Sequence, residues 1–90
     1  MLIEFDPAKR NWTLRERGLD FLDAAQMFGE PSLTIRDARC DYPEERFQTF
    51  GLVGDRLAIV VWTPISGGIR VISMRKCNDR EKSRFTARMG

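Results

Sequence analysis

The chain has 90 residues, of which 42% are hydrophobic and 31% are charged, and its formal net charge is +2. This size and composition predict one soluble globular domain over residues 1–90, and no apolar run approaches the roughly 18 residues of a membrane span. The N-terminal sequence MLIEFDPAKR lacks the basic and then apolar pattern of a secretory signal, which predicts a cytoplasmic protein.

The N-terminal third predicts one short strand followed by two helices. MLIEF has the composition of a strand, and Asp6 and Pro7 are a typical N-cap and first-turn pair for a helix that Gly18 ends. A second helix is predicted from Asp20 to Gly29, because apolar residues recur at i, i+3, i+4 and i+7: Phe21, Ala24, Ala25 and Phe28.

The remaining sequence predicts four extended segments and a final helix. The segments SLTIRDARC, ERFQTFGLV, RLAIVVWT and GIRVISMRK are joined by links too short for crossovers, which favours an antiparallel meander. Asn78 and Glu81 have the spacing of a capping box at the start of the last helix. The expected fold is α+β, with an antiparallel sheet of about four strands packed against two N-terminal helices and a C-terminal helix.

Charge is distributed unevenly along the chain. Residues 70–88 carry seven cations against two acids, a net charge of +5, whereas residues 30–55 have a net charge of −3. The basic end could bind phosphates, and the acidic middle could face a basic partner.

Four segments together resemble one known family. DPAK, RERGLDFLDAAQMF, DYPEERFQTFGLVGDR and IRVISMRKCNDREKSRF occur in the order found in the BrnT toxins, and the resemblance covers nearly the whole chain. It implies a fold similar to RelE toxins and a ribonuclease of a type II toxin–antitoxin system. It also implies neutralisation by a BrnA-like antitoxin of ribbon-helix-helix type, with DNA contacted only through that antitoxin.

Two family motifs are intact and three positions depart from the usual pattern. The intact motifs are E-E-R-x-x-x-x-G, at residues 44–51, and I-R-x-I-S-x-R-K, at residues 69–76. The departures are Arg17, in a Lys-His-Gly segment of many members, Ile65, where many have Arg, and Phe85, where many have Tyr. They favour the alternative hypothesis of a catalytically weakened toxin homologue that acts as a binding module or transcriptional co-repressor with its antitoxin.

RNA cleavage without a metal requires a base for the 2′-hydroxyl, an acid for the leaving oxygen and positive charge for the phosphate. The chain has no histidine, so carboxylate or lysine must transfer protons and arginine must stabilise the charge. Glu45 is the candidate base, and Lys76 is a possible acid. Arg46, Arg70 and Arg75 are the candidate phosphate ligands. No metal or other cofactor is expected, although the acids of residues 41–45 could also be read as a metal cluster.

Strand geometry constrains this set. Regular alternation predicts that Arg70 and Lys76 share one face of the last strand and that Arg75 lies on the other, unless a bulge or the strand's end intervenes. Arg70 could alternatively form a structural ion pair with Glu44 or Glu45 on a neighbouring strand.

Further arginines are candidates for binding RNA beyond the cleavage site. Arg80, Arg84 and Arg88 are spaced at i, i+4 and i+8 along one face of the last helix, and Arg17 is the last residue of the first predicted helix. The alternative for the three helical arginines is an ordinary solvated face.

Overall fold

The computed structural model describes residues 1–89 of the chain. Within them the fold is α+β, as predicted, and no helix is long and apolar enough to cross a membrane. The elements are β1 (Leu2–Glu4), α1 (Pro7–Arg17), a 3₁₀ helix (Phe21–Phe28), β2 (Ser32–Arg36), β3 (Phe47–Val53), β4 (Arg56–Ile65), β5 (Gly68–Lys76) and α2 (Asp79–Met89).

The sheet has five strands in the order β1-β5-β4-β3-β2 and is mixed. The pairs from β2 to β5 are antiparallel, as the meander predicted, but β1 pairs with β5 in parallel, with Ile3 opposite Ile69. The prediction of a purely antiparallel sheet of about four strands is therefore wrong. Parallel pairing requires a long connection, and here the whole chain between β1 and β5 supplies it.

The core lies between one face of the sheet and the 3₁₀ helix. This face, called the core face below, carries Ala58 and Val60 of β4 and Ile69 and Val71 of β5. The predicted second α-helix is a 3₁₀ helix because its buried residues, Phe21, Ala24 and Met27, repeat every three positions. Ala25, which the α-helical reading placed inside, is exposed.

Helix α1 covers the part of the β5 edge that β1 leaves unpaired. Lys9 Nζ donates to the carbonyl oxygen of Ile72 at 3.4 Å. Arg17 Nη1 donates to the carbonyl oxygen of Met74 at 2.9 Å. Two side chains of one helix thus satisfy carbonyl groups that an exposed edge strand would offer to another chain.

Helix α2 packs on the opposite face of the sheet, called the open face below. Its buried residue Phe85 lies against Leu33 and Phe50, which point away from the core face. The predicted capping box is confirmed: Glu81 N donates to Asn78 Oδ1 at 2.8 Å, and Asn78 N donates to Glu81 Oε1 at 2.9 Å.

A β-bulge in β5 changes which side chains share a face. Trp62 pairs with Val71 and Val61 pairs with Ser73, so Ile72 is the extra residue. Beyond it, the alternation along β5 is inverted relative to a regular strand, which decides where the cations of this strand lie.

Candidate functional site

A row of polar side chains crosses the open face near one end of the sheet. Arg70 of β5 pairs in register with Thr63 of β4, and Arg46 immediately precedes Phe47, the partner of Trp62. Arg46, Thr63 and Arg70 line one cleft of about 440 Å³, together with Glu44, Asp6 and Lys9. Residues from distant parts of the sequence thus surround one concave surface with three cationic and two acidic side chains, called the arginine cleft below.

Arg46 is held in the arginine cleft from two sides. Its Nε donates to Glu44 Oε1 at 2.8 Å, and its guanidinium carbon lies 4.1 Å from the centre of the Tyr42 ring. A carboxylate and an aromatic face together fix the orientation of the guanidinium. Its remaining N–H groups are therefore preorganised for an anion.

Arg70 is anchored from the neighbouring strand β1. Its Nη1 donates to Glu4 Oε1 at 2.6 Å. The expected alternative partner, Glu44 or Glu45, is wrong, because β1 lies beside β5 and brings Glu4 into register with Arg70. This ion pair is about half exposed, so it orients Arg70 more than it stabilises the fold.

The structure brings Glu44, and not Glu45, into the arginine cleft. The carboxylate of Glu45 lies 3.8 Å from Arg36 Nη1, in a separate depression formed by Arg36 at the end of β2 and by the loop 37–46. Only the main chain of Glu45 reaches the cleft side, where its carbonyl oxygen accepts a hydrogen bond from Thr63 Oγ1 at 2.7 Å. The segment before Phe47 is irregular, so strand alternation could not tell which of the two glutamates points inward.

The bulge overturns the expected distribution of cations on β5. Arg75 pairs with Ile59 and Arg70 with Thr63, which share the open face, whereas Lys76 pairs with Ala58 on the core face. The prediction that Arg70 and Lys76 share a face is therefore wrong, and Arg70 and Arg75 share one instead. Lys76 is also roughly 16 Å from Arg70 along the strand, so the structure does not bring it to the arginine cleft.

Arg75 forms a bidentate pair with Glu81 of α2. Nη1 and Nη2 donate to the two carboxylate oxygens at 2.8 and 2.7 Å. The hydrogen bonds from Arg75 lower the pKa of Glu81 to about 2, and the same bonds raise the pKa of Arg75. This pair fastens the first turn of α2 to the open face.

We expect this pair to make stability depend on pH. A carboxyl whose pKa is lowered by folding adds stability that is complete above its unfolded pKa, here near 4.5, and is lost as the pH falls towards about 2. Because the pair is partly exposed, Glu81→Gln should lower the free energy of unfolding by about 1 kcal/mol near neutral pH.

Urea unfolding at about pH 6 and about pH 3 measures this effect, and the difference between Glu81→Gln and wild type should shrink at the lower pH. Glu16→Gln removes an exposed carboxylate of α1 and serves as the control. A difference that is the same at both pH values would contradict the assignment.

The candidate RNA-binding arginines lie outside the arginine cleft. Arg84 and Arg88 line the groove between α2 and the strands β2 and β3, and Arg80 is exposed on the first turn of α2. Arg17 lies at the β5 edge, where its guanidinium carbon is 5.0 Å from the centre of a Trp12 ring. The hydrogen bond to Met74 gives Arg17 a structural role at this edge.

Sequence reasoning missed several polar residues near the cleft. Lys9 and Thr63 line it, and Tyr42 supports Arg46 from below. Lys9 belongs to the DPAK segment, whose cation was a detectable signal, but the loop residue Tyr42 carried none. In residues 1–89 no three His, Cys, Asp or Glu side chains are grouped so that they could hold a metal ion.

Comparison with known protein families decides the family. Residues 5–81 match the sequence model of a family described as the ribonuclease toxin BrnT of type II toxin–antitoxin systems. The chain belongs to the BrnT family. No protein in the curated collection of sequences matches it. The matched range contains every residue that lines the arginine cleft.

The BrnT motif E-E-R-x-x-x-x-G has a structural explanation at its glycine. A Cβ atom on Gly51 would overlap the Met27 carbonyl of the 3₁₀ helix, so only glycine lets β3 approach that helix. At two of the positions that depart from the usual BrnT pattern, Arg17 lies at the β5 edge and Phe85 is buried between α2 and the open face. Ile65, two residues after Thr63 on β4, lies on the open face.

Proposed function

We propose that this protein is a metal-independent endoribonuclease toxin that cleaves RNA by attack of the 2′-hydroxyl on the adjacent phosphorus. The observation that carries the proposal is the convergence of Arg46 and Arg70 on one cleft that also contains a carboxylate and a lysine. This set supplies the charge and the proton-transfer groups that the reaction requires in a chain without histidine.

The arginine cleft accommodates the reaction as follows. The guanidinium groups of Arg46 and Arg70 bind the non-bridging oxygens and stabilise the charge that develops on them. A carboxylate takes the proton of the 2′-hydroxyl while the 2′-oxygen bonds to phosphorus, and the bond from phosphorus to the 5′-oxygen breaks. The leaving 5′-oxygen takes a proton from an ammonium group.

The structure favours Glu44 over Glu45 as that carboxylate and Lys9 over Lys76 as the ammonium group, because Glu44 and Lys9 line the cleft. Arg75 is on the same face, but Glu81 holds it outside the arginine cleft. We therefore assign it to phosphate binding beside the cleft and not to the cleavage step.

The purified protein should cleave a defined RNA in excess EDTA. The fragments on the 5′ side of each cut should end in 2′,3′-cyclic phosphate, since the attacking 2′-oxygen stays bonded to phosphorus. Chemical analysis of the fragment ends is the measurement. Two results would contradict the proposed mechanism. One is cleavage that stops in EDTA, and the other is 5′-side fragments that all end in a 3′-hydroxyl and carry no cyclic phosphate.

The proposed cellular setting follows from the family. We propose that the toxin acts in the cytoplasm, has a RelE-like fold and is neutralised by a BrnA-like ribbon-helix-helix antitoxin that makes the DNA contacts of the complex. The net charge of −3 over residues 30–55 supports a contact with a basic partner in that region.

A second candidate function is a weakened toxin that acts as a binding module or co-repressor with its antitoxin. One observation favours it: Ile65 occupies an open-face position where a cation is usual. Under this alternative, expression of the wild-type protein should not arrest growth. Under the first proposal it should, and Arg46→Ala should abolish the arrest while the fold is retained.

A further inference from the structure

A second group of polar side chains lies on the open face, next to the arginine cleft. Arg39, Gln48, Ser73 and Arg75 surround a small cavity of about 50 Å³ whose floor is formed by Ile59 and Val61. Gln48, Val61 and Ser73 are register partners on three strands. Their row is two residues of β4 away from the row of Arg46, Thr63 and Arg70, a distance of about 7 Å.

Arg39 is an exposed cation on a buried carboxylate. Its Nε and Nη2 each donate to Asp37 at 2.7 Å, and the Asp37 side chain is 0% exposed while that of Arg39 is 61% exposed. The buried acid therefore fixes the guanidinium in one orientation, and Asp37 accepts no hydrogen bond from Nη1 of Arg39. This arrangement reduces the entropy that an arginine loses when it binds a ligand.

Arg75 approaches the same cavity from the other side. Glu81 engages its two Nη atoms, and its Nε is not part of that pair. The pKa of Arg75 is raised mainly by Glu81, and the charge of Arg39 acts in the opposite direction. Two fixed cations are thus near enough to repel each other, which an anion placed between them would relieve.

We propose that Arg39 and Arg75 together bind a second phosphate of the RNA, beside the one held in the arginine cleft. This inference rests on the proposed function and assigns to Arg39 a role that the sequence motifs did not indicate. Ser73 contributes a hydroxyl donor, and the apolar floor offers no competing charge. The RNA backbone would then run along the open face from the arginine cleft towards α2.

The test uses RNA with 2′-O-methyl groups, which can bind but cannot be cleaved by 2′-hydroxyl attack. We expect Arg39→Gln to weaken binding about tenfold and to lower the slope of log affinity against log salt concentration by about 0.7. Arg15→Gln removes an exposed arginine of α1 and matches the change in net charge, and it should alter binding less than about twofold. Equal affinities for the two variants, or no binding of RNA by the wild type, would overturn the proposal.

Loss of Arg39 leaves the buried Asp37 unpaired, so a second variant separates binding from folding. Asp37→Asn combined with Arg39→Gln removes both charges of the pair, and it should bind RNA as weakly as Arg39→Gln alone. If the double variant binds as tightly as the wild type, the loss in Arg39→Gln came from the unpaired carboxylate and the proposal is wrong.

A scan of single neutral linkages locates the contact. We expect one methylphosphonate linkage in the RNA to weaken binding to the wild type and to have no further effect on Arg39→Gln, the signature of a direct pair. Effects that add at every linkage would overturn the direct contact. The binding measurement does not depend on cleavage. A protein that binds this RNA but does not cleave unmodified RNA would refute the proposed function and still test the contact of Arg39.

Discussion

Arg46→Gln should lower the rate of RNA cleavage by about 100-fold to 1,000-fold, the effect of removing a preorganised donor to the charge that develops on a transition state. Arg46 is the arginine whose position is fixed most tightly in the cleft, by Glu44 and by the ring of Tyr42. Gln keeps the polarity and much of the length of the side chain but removes the positive charge. The measurement is the single-turnover cleavage rate of a defined RNA in EDTA.

Two further variants make this result specific to Arg46. Arg15→Gln changes the net charge equally on the exposed side of α1, and it should cleave at nearly the wild-type rate. Arg46→Lys should retain part of the activity, because lysine keeps the charge but cannot bind phosphate bidentately. Circular dichroism should show that all three variants are folded. A folded Arg46→Gln with the wild-type rate would remove Arg46 from the site.

Gly51→Ala in β3 should destabilise the protein strongly, although it adds only one methyl group. Its Cβ would lie 2.8 Å from the Met27 carbonyl carbon and would overlap the carbonyl oxygen, so the 3₁₀ helix must move away from the sheet. We expect a loss of about 3 kcal/mol or more, because the obstacle is main chain and not a flexible side chain. For a domain of this size that lowers Tm by about 12 °C or more.

Gly29→Ala is the matched control for thermal unfolding. Gly29 has a φ of −75°, and a Cβ there would make an ordinary 3.5 Å contact with the Gln26 carbonyl oxygen. Its Tm should stay close to that of the wild type or rise slightly, since alanine restricts the unfolded chain. Equal Tm values for the Gly51→Ala and Gly29→Ala proteins would contradict the close approach of β3 and the 3₁₀ helix.

Local signals predicted the individual elements better than their arrangement. The Asp6 cap, the left-handed Gly18 and the capping box of Asn78 and Glu81 depend on residues within a few positions of each other, and the structure has all of them. The pairing of β1 with β5 joins residues more than 60 positions apart. No periodicity within either strand carries that information.

The arrangement of the site followed the sequence only as far as the strands are regular. The motifs placed Arg46 and Arg70 near each other, since both belong to segments that become neighbours of β4. The bulge at Ile72 then moved Arg75 to the open face and Lys76 to the core face. The irregular loop 37–46 oriented Glu44, Tyr42 and Arg39, and none of these orientations is encoded in a repeat that could be read beforehand.

The four arginines of the open face and its adjoining loop are all paired with carboxylates. Arg39, Arg46, Arg70 and Arg75 are each bound by a carboxylate from the same loop or from a neighbouring element. The pairs of Arg46 and Arg70 are partly exposed and add little to stability, whereas the Asp37 carboxylate bound to Arg39 is buried, but every pair fixes a guanidinium group in position. We infer that these carboxylates prearrange the arginines for the RNA backbone.

The most direct test of the central claim uses two RNAs that differ at one atom. After the cleavage position has been mapped, the wild-type protein is incubated in excess EDTA with the RNA and with a copy that has a single 2′-deoxynucleotide on the 5′ side of that position. The account predicts cleavage of the RNA and no cleavage of the substituted copy at that position. Equal cleavage of both would show that the 2′-hydroxyl is not the nucleophile and would contradict the account.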